Sequence, residues 1–524
     1  MDGLEFRVAA PPVTSDPARA DVACFIGFVG CRDSEPESQR RRLELLDVPL
    51  PIDSWDGFDA LLAWDQRALE ASPAPLSGAL ATERRRVCDT ALGTAVRAFF
   101  AQGGRKCYVV RVGDPWPVLA PAQDRATALA FLPSVPPVSP SDRGTWRGLG
   151  HLFGLPDVSF LCLPDLPELF AVESRPHGHE FPPPGEERFV ECATLVDPPG
   201  HRHLRGFPAP RCDADGFGHW ANLVRRIGEL LSRHAREVQF VAAVPLPVNE
   251  AALAGDPSLA SNDSKLRQSQ MAQKVRAARD AQWRHVAGIQ TAFVQLAYPW
   301  LRTRNAANLP EELESPEGSL AGLLADNALA RGAWHSLLNR TLPNVLSVEP
   351  VLSRADLGRE LPFDDQSLTP RNLRERVSLV GPTSGGFRIL SDVTTDDDEA
   401  YRPANVNRLL VAILRAARLV GEALVFENNG EGLWRRLRDS MISVLARLWA
   451  DGALRGATAA EAFEVRCDRS TMTQTDIDAG RVVVRLAFTA AAPIQRIVVV
   501  LAISERGPVS LVSAQAPTAK QEAA

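Results

Sequence analysis

Apolar runs too continuous for a half-exposed sheet alternate along this chain with stretches of helical period. Residues 22–29 (VACFIGFV) read as a strand buried on both faces. Residues 81–102 carry Val87, Ala91, Ala95, Val96, Phe99 and Phe100 at helical spacing, Gly103-Gly104 ends that helix, and 106–112 (KCYVVRV) is a strand again. After a stretch crowded with prolines at 115, 117, 121, 133, 136, 137 and 140, strands at 157–163, 237–244 and 290–297 alternate with helices at 219–235 and 266–288. That order predicts a parallel sheet covered by helices. Residues 164–211, rich in Pro, Gly and His, receive no regular element.

The pattern changes in the last quarter. Two amphipathic helices lie within 402–469. The first turns Val406, Leu409, Leu410, Ile413, Leu414, Ala417, Val420 and Leu424 inward and Arg408, Arg415, Arg418 and Glu422 outward, with Asn405 as its N-cap. Asn428-Asn429-Gly430 breaks the chain. The second turns Leu433, Leu437, Met441, Val444, Leu445 and Leu448 inward, leaves Arg435, Arg436, Arg438 and Arg447 outside, and ends at Asp451-Gly452. Strands at 481–489 and 496–503 form an antiparallel hairpin, and 509–513 is one more exposed strand. At the other end, residues 4–8 (Leu4, Phe6 and Val8 among them) are cut off by Pro11-Pro12 and Asp16-Pro17, leaving a detached arm. An isolated strand cannot satisfy its own backbone groups, so the arm must pair with a sheet edge, in its own subunit or a neighbour's.

At 524 residues, 45% hydrophobic and 23% charged, the chain is long enough for two to four domains with sizeable cores. A net charge of −6 gives no support for general nucleic-acid binding. The longest wholly apolar run, 497–503, falls far short of the roughly 20 residues of a spanning helix, and MDGLEFRV has no charged-then-apolar signal. Eight scattered cysteines, several inside apolar runs (Cys24, Cys107, Cys162), read as reduced buried thiols. These features point to synthesis in a bacterial-type cytoplasm without signal-directed export.

Candidate chemistry is sparse. His177, His179, Cys192, His201, His203 and Cys212 supply zinc-type ligands, but their spacing matches no compact finger and a proline-rich surface loop is the better account. There is no Gly-x-Ser-x-Gly elbow, and the candidate nucleophiles Cys107 and Cys162 lie in buried strands. Residues 381–386 (GPTSGG) lack the Gly-Lys-Ser/Thr ending of a phosphate loop and read as a turn before a strand at 387–390. The acidic run 392–399 (DVTTDDDE) lacks the spacing of a calcium loop and reads as solvated. No catalytic residue, cofactor or metal is assigned.

Asn405 to Leu410, Phe426-Glu427, Leu433-Trp434, Leu448-Trp449, Gly452-Ala453-Leu454, Arg466-Cys467-Asp468 and the run 471–481 (TMTQTDIDAGR) strongly resemble the C-terminal region of contractile phage tail sheath proteins. Residues 99–112 (FFAQGGRKCYVVRV), 146–166 and 297–300 (AYPW) extend the resemblance, and 318–339 does so more loosely. The resemblance implies an α/β, multidomain tail-sheath-like fold: a parallel helix-covered sheet domain plus a C-terminal α+β sheath domain with extended terminal strands. The expected division is a linking arm (1–20), an α/β segment packing with the C-terminal domain (21–113), a proline-rich linker (114–145), a middle α/β domain (146–345) with a Pro/His-rich insertion (164–211), a C-terminal sheath domain (346–504) and a tail (505–524).

It also implies a mechanical, non-enzymatic function. Copies of the subunit form stacked helical rings around an inner tube protein, bounded by baseplate and terminal cap proteins, and contraction drives the tube through a target envelope. No nucleic-acid partner or direct membrane insertion is expected. Arg435, Arg436 and Arg438 are the expected tube contacts, and Leu4, Phe6, Val8, Ile497, Val499 and Leu501 the expected inter-subunit strand positions. The extra 164–211 stretch leaves open a specialised paralogue at the baseplate or tip. A zinc-dependent cytoplasmic enzyme or binding protein is the alternative of another class.

Overall fold

The computed structural model describes residues 19–32, 44–69, 87–121, 125, 140–173, 204, 206–253, 256, 259, 264–362, 371–424, 427–491, 497–504 and 507–515. The arm positions Leu4, Phe6 and Val8 and the histidines of 177–203, with Cys192, lie outside them. The chain divides into a large unit (21–411 with 490–495) and a small one (1–20, 412–489 and 496–524).

The large unit is built on one eight-stranded sheet. Its strands are β1 (Val22–Phe28), β2 (Pro49–Ile52), β3 (Cys107–Gly113), β4 (Val158–Cys162), β5 (Gln239–Ala243), β6 (Val294–Tyr298), β7 (Ser378–Thr383) and β8 (Gly386–Ile389), in the order β8-β7-β6-β5-β4-β1-β3-β2. From β3 through to β7 every pair is parallel, and only the outer strands β2 and β8 run antiparallel. All seven residues of β1 are buried, because both faces of the sheet are covered. Val22, Cys24, Ile26 and Phe28 join the core under α3 (Ala214–His234) and the end of α4 (Ser264–Ala287), with Trp220, Val224 and Val286. Ala23 and Phe25 point the other way, toward α1 (Trp55–Leu61), α2 (Ala91–Ala101) and α5 (Glu317–Arg331), against Phe58, Leu92, Val96, Phe99 and Leu324. The strict alternation along β1 is what separates the two cores.

Two expectations are corrected here. The helix read over 81–102 begins only at Ala91: Val87–Cys88 is a short strand, and Thr90, in extended conformation, caps the helix by accepting from the Gly93 amide. The proline-rich 114–145 stretch is not a domain boundary, because β1 pairs on one side with β3, before that stretch, and on the other with β4, after it. Residues 21–113 therefore share one sheet with 146–345, and β7 and β8 extend that sheet past 345. The boundary falls at 411/412, within α6 (Ala404–Ala423).

The small unit contains α7 (Glu431–Ala450) and an antiparallel sheet of β9 (Phe463–Arg466), β10 (Arg481–Phe488), β11 (Ile497–Ser504) and β12 (Gly507–Gln515), in that order. The register runs from Arg481 opposite Ser504 to Phe488 opposite Ile497, the predicted hairpin. Val482, Val484, Leu486 and Phe488 are buried at alternate positions, as a half-covered strand requires.

Candidate assembly surfaces and the filled crevice of the large sheet

In a parallel sheet whose order reverses, ligands bind beyond the carboxyl ends of the strands at the reversal. Here that point lies between β1 and β4, because the chain leaves β1 for β3 on one side and later enters β4 on the other. Protein groups occupy it. Asp165, just after β4, accepts the Phe28 amide at 2.8 Å, and its carboxylate lies so close over Gly27 that a Cβ there would collide with it. Glu168 is paired with Arg67, whose Nη1 donates to Oε2 at 2.9 Å, and Trp116 Nε1 donates to the other carboxylate oxygen at 3.1 Å. Glu317, at the start of α5, accepts from the Ala243 amide at the end of β5 and from the Ser315 hydroxyl. The remaining cavity beside Arg67, Glu168 and Glu314 is about 30 Å³, room for one water.

Cys24, Cys107 and Cys162 sit in the strands behind this point. Burial pushes the Cys24 thiol up to about 12 and the Cys107 and Cys162 thiols well above their ordinary value, so none is a thiolate near neutrality. Cys212, the one described member of the His/Cys group, is buried and donates to the Phe170 carbonyl at 3.3 Å. Among the described residues no group of three or more His, Cys, Asp or Glu side chains is arranged to hold a metal. Residues 381–383 are the end of β7 and Gly386 the start of β8, so the turn is Ser384-Gly385, with Thr383 paired to Gly386.

The acidic run 392–399 is not the solvated loop expected. Asp392 is buried and forms an ion pair with Arg408 of α6 at 2.7 Å, while accepting the Leu337 amide at 2.8 Å. Burial opposes its ionisation, but the Arg408 guanidinium together with the hydrogen bonds from Leu337 and Ser336 outweighs burial and holds the carboxyl below the usual carboxylate range. Asp397 pairs with the fully buried Arg376, and Thr394 and Thr395 are buried. Arg408 and Arg415 are therefore inside, not on an outer face, and Arg415 donates to the Arg19 carbonyl. Asn405 is inside the helix, not its cap, and donates to the Trp334 carbonyl at 3.0 Å.

On α7, Leu433, Trp434, Leu437, Met441, Leu445 and Leu448 are buried. Val444 is only half-buried, and Trp434 is a core residue that the aliphatic pattern did not mark. Arg435 and Arg436 are exposed and Arg438 is half-buried. Arg436 pairs with Glu427, and Arg438 lies 3.3 Å from Asp439. Local acids thus offset much of the helix-dipole penalty that these cations carry near an N-terminus. Arg435 has no ion pair among the described residues.

Ile497, Val499 and Leu501, the expected inter-subunit strand positions, lie on β11. β11 is hydrogen-bonded to β10 on one side and to β12 on the other. The stretch at 509–513, expected to be exposed, lies within β12 and occupies that second side. The outer strands of this sheet are β9 and β12.

Residues 396–504, which span α7 and the first three strands of this sheet, match the family described as phage tail sheath C-terminal domain. The tail sheath protein of Burkholderia phage BcepMu is 25% identical over 209 residues, 39% of this chain and 41% of that protein. The match therefore spans about two fifths of that relative's length. Two solved structures share the fold. One is the anti-feeding prophage helical sheath in its contracted state, with TM-score 0.51, 19% identity, and coverage of 94% of this chain and 98% of that one. The other is the anti-feeding prophage baseplate in its contracted state, with TM-score 0.55, 17% identity, and coverage of 94% and 96%. Over residues 396–504 the chain is therefore similar to the C-terminal domain of contractile tail sheath proteins, and its fold is that of contractile sheath structures.

Proposed function

We propose that this chain is the structural subunit of a contractile sheath. It is synthesised in a bacterial cytoplasm, polymerises as stacked helical rings around an inner tube, and contracts to drive the tube through a target envelope. The baseplate and a terminal cap protein bound the assembly, and no catalytic step is involved. The observation that carries this reading is the match of residues 396–504 to the sheath C-terminal domain, set on a helix packed against an antiparallel sheet. Strands explain how such a cylinder holds together while its subunits rotate, since a strand exchanged between copies keeps its main-chain hydrogen bonds through a rigid-body movement. In this reading the arm at Leu4, Phe6 and Val8 reaches a neighbour's sheet. The exchanged C-terminal strand is then the outer strand β12, not Ile497, Val499 and Leu501 of β11. Arg435, with Arg436 and Arg438 beside it, faces acidic groups of the tube.

Electron microscopy of the chain expressed with the proteins of its neighbouring genes tests the function. Extended and contracted cylinders around a tube support it. A soluble monomer that never joins a particle overturns it.

A further inference from the structure

Helix α4 carries Lys265, Arg267, Lys274, Arg276, Arg279 and Arg284 against a single acid, Asp280. That is +5 on one element of a chain whose net charge is −6, so the rest of the chain sums to −11, −6 less +5. Packing does not account for the whole helix. Its buried residues, Ala278, Ala281, Gln282, Val286 and Ala287, all fall within its last ten positions, and none of the first fourteen is buried. A helix this polar needs many ion pairs along its length or a partner outside it. Lys274 has Asp256 at 2.7 Å. Arg276 and Arg279 are exposed, stand three residues apart where like charges repel, and make no ion pair among the described residues. Asp356, on which the Arg279 charge acts, is already bonded to the Ser353 amide and hydroxyl.

A complementary patch lies on the opposite face of the same unit. α1 packs with α2 on the second core, away from α3 and α4. At its start Asp53 and Asp56 are exposed and unpaired among the described residues. Asp59 and Asp65 behind them share Arg32, and Arg97 lies over the rings of Trp55 and Trp64. Patches of opposite sign on opposite faces of one compact unit cannot meet in a two-fold dimer. They meet head to tail, which generates rings or helical filaments.

We propose that the basic face of α4, centred on Arg276 and Arg279, docks on the acidic Asp53 and Asp56 rim of a second copy of this chain. The contact deepens the sheath reading by naming a subunit interface, and it is separate from the strands and from α7. It is electrostatic and weakens with salt.

The test uses the full chain and four proteins: wild type, Arg276→Glu/Arg279→Glu, Asp53→Lys/Asp56→Lys, and the combined quadruple variant. All four should melt at similar temperatures, since the altered side chains are exposed. Pelleting and electron microscopy should show at least a tenfold loss of assemblies for each double variant and recovery in the quadruple one, whose patches are again opposite in sign. Double variants that assemble like wild type, or a folded quadruple variant that does not recover, overturn the contact and leave the sheath function standing. A wild-type chain that never assembles overturns both. Nuclease treatment should change nothing, and assemblies lost on nuclease would show that α4 binds nucleic acid instead.

Discussion

Gly318 of α5 lies directly on the backbone of Ala95 in α2: a Cβ at 318 would stand 2.6 Å from the Ala95 Cα. One turn on, Gly322 meets Phe99 and Gln102 in the same way. The two helices therefore cross at a distance that only a missing side chain permits, and they cover β1 and β4 as one layer. Replacing Gly318 by Val should cost at least about 1–3 kcal/mol, because the obstructing atoms are backbone and cannot rotate away. Denaturant unfolding measures this. A loss under about 0.5 kcal/mol would mean that the helices separate easily and the close approach is unimportant.

Arg408→Ala leaves Asp392 without its counter-charge inside the large unit, held among the described residues only by hydrogen bonds from Leu337, Ser336 and Gln295. Breaking one side of a buried pair typically costs about 3–5 kcal/mol. Asp392→Asn leaves Arg408 without its counter-charge but should cost less, since the guanidinium keeps its bonds to the Ala333 and His335 carbonyls and the asparagine retains hydrogen-bonding capacity. The order of the two midpoints in a chemical denaturation series checks the claim, and equal midpoints would contradict it.

Four buried acids set a pH dependence. Burial raises Asp89 and Asp165 to about 7 and Glu314 and Glu317 to about 8. Their charged surroundings are Glu168 and Arg67 around Asp165, Asp165 beside Glu317, and Arg97 near Glu314 and Asp89, with Asp65 also facing Asp89. Their unfolded values lie near ~4, so the folded chain binds more protons between about pH 4 and 8. The stabilisation is complete below the unfolded values and is lost as pH rises through 7 to 8, at up to about 1.4 kcal/mol per pH unit for each group. The melting temperature should therefore fall from pH 6 to pH 8.5 at constant ionic strength. Glu317→Gln should flatten the fall, and an unchanged slope would remove Glu317 from the account.

Reversing Arg435 and Arg436 to Glu should produce sheaths that contract early or assemble without a tube. Each exposed pair contributes only about 0.2–1 kcal/mol, but the contact recurs in every subunit. Arg435 alone should carry most of the effect, because Arg436 already has Glu427. Particles of normal extended length from the double variant, counted by microscopy, would rule out α7 as the tube face.

The large sheet was legible because its strands are buried on both faces and announce themselves as apolar runs, as in 22–29 and 157–163. The inward line of α7 from Leu433 to Leu448 was legible for the same reason. Period analysis assumes that the polar side of a helix meets water. It therefore put Arg408 outside, whereas a carboxylate sixteen positions earlier holds it in the core. Long-range pairing of this kind leaves no periodic trace. Proline density likewise suggested a linker at 114–145, yet it cannot reveal that the strands on either side lie in one sheet. The edge status of β11 depended on whether 507–515 folds back beside it, which is a question of register and turn and not of strand propensity.

The most direct test of the central claim is electron microscopy, with sedimentation, of the full-length chain purified alone at a concentration where subunits can meet. A sheath subunit should pellet and form hollow tubes or stacked rings of one repeating unit, and removing residues 1–12 should abolish them while leaving the melting temperature unchanged. A particle that remains a 56.9 kDa monomer at every concentration, with no ring or tube in the images, would contradict the account.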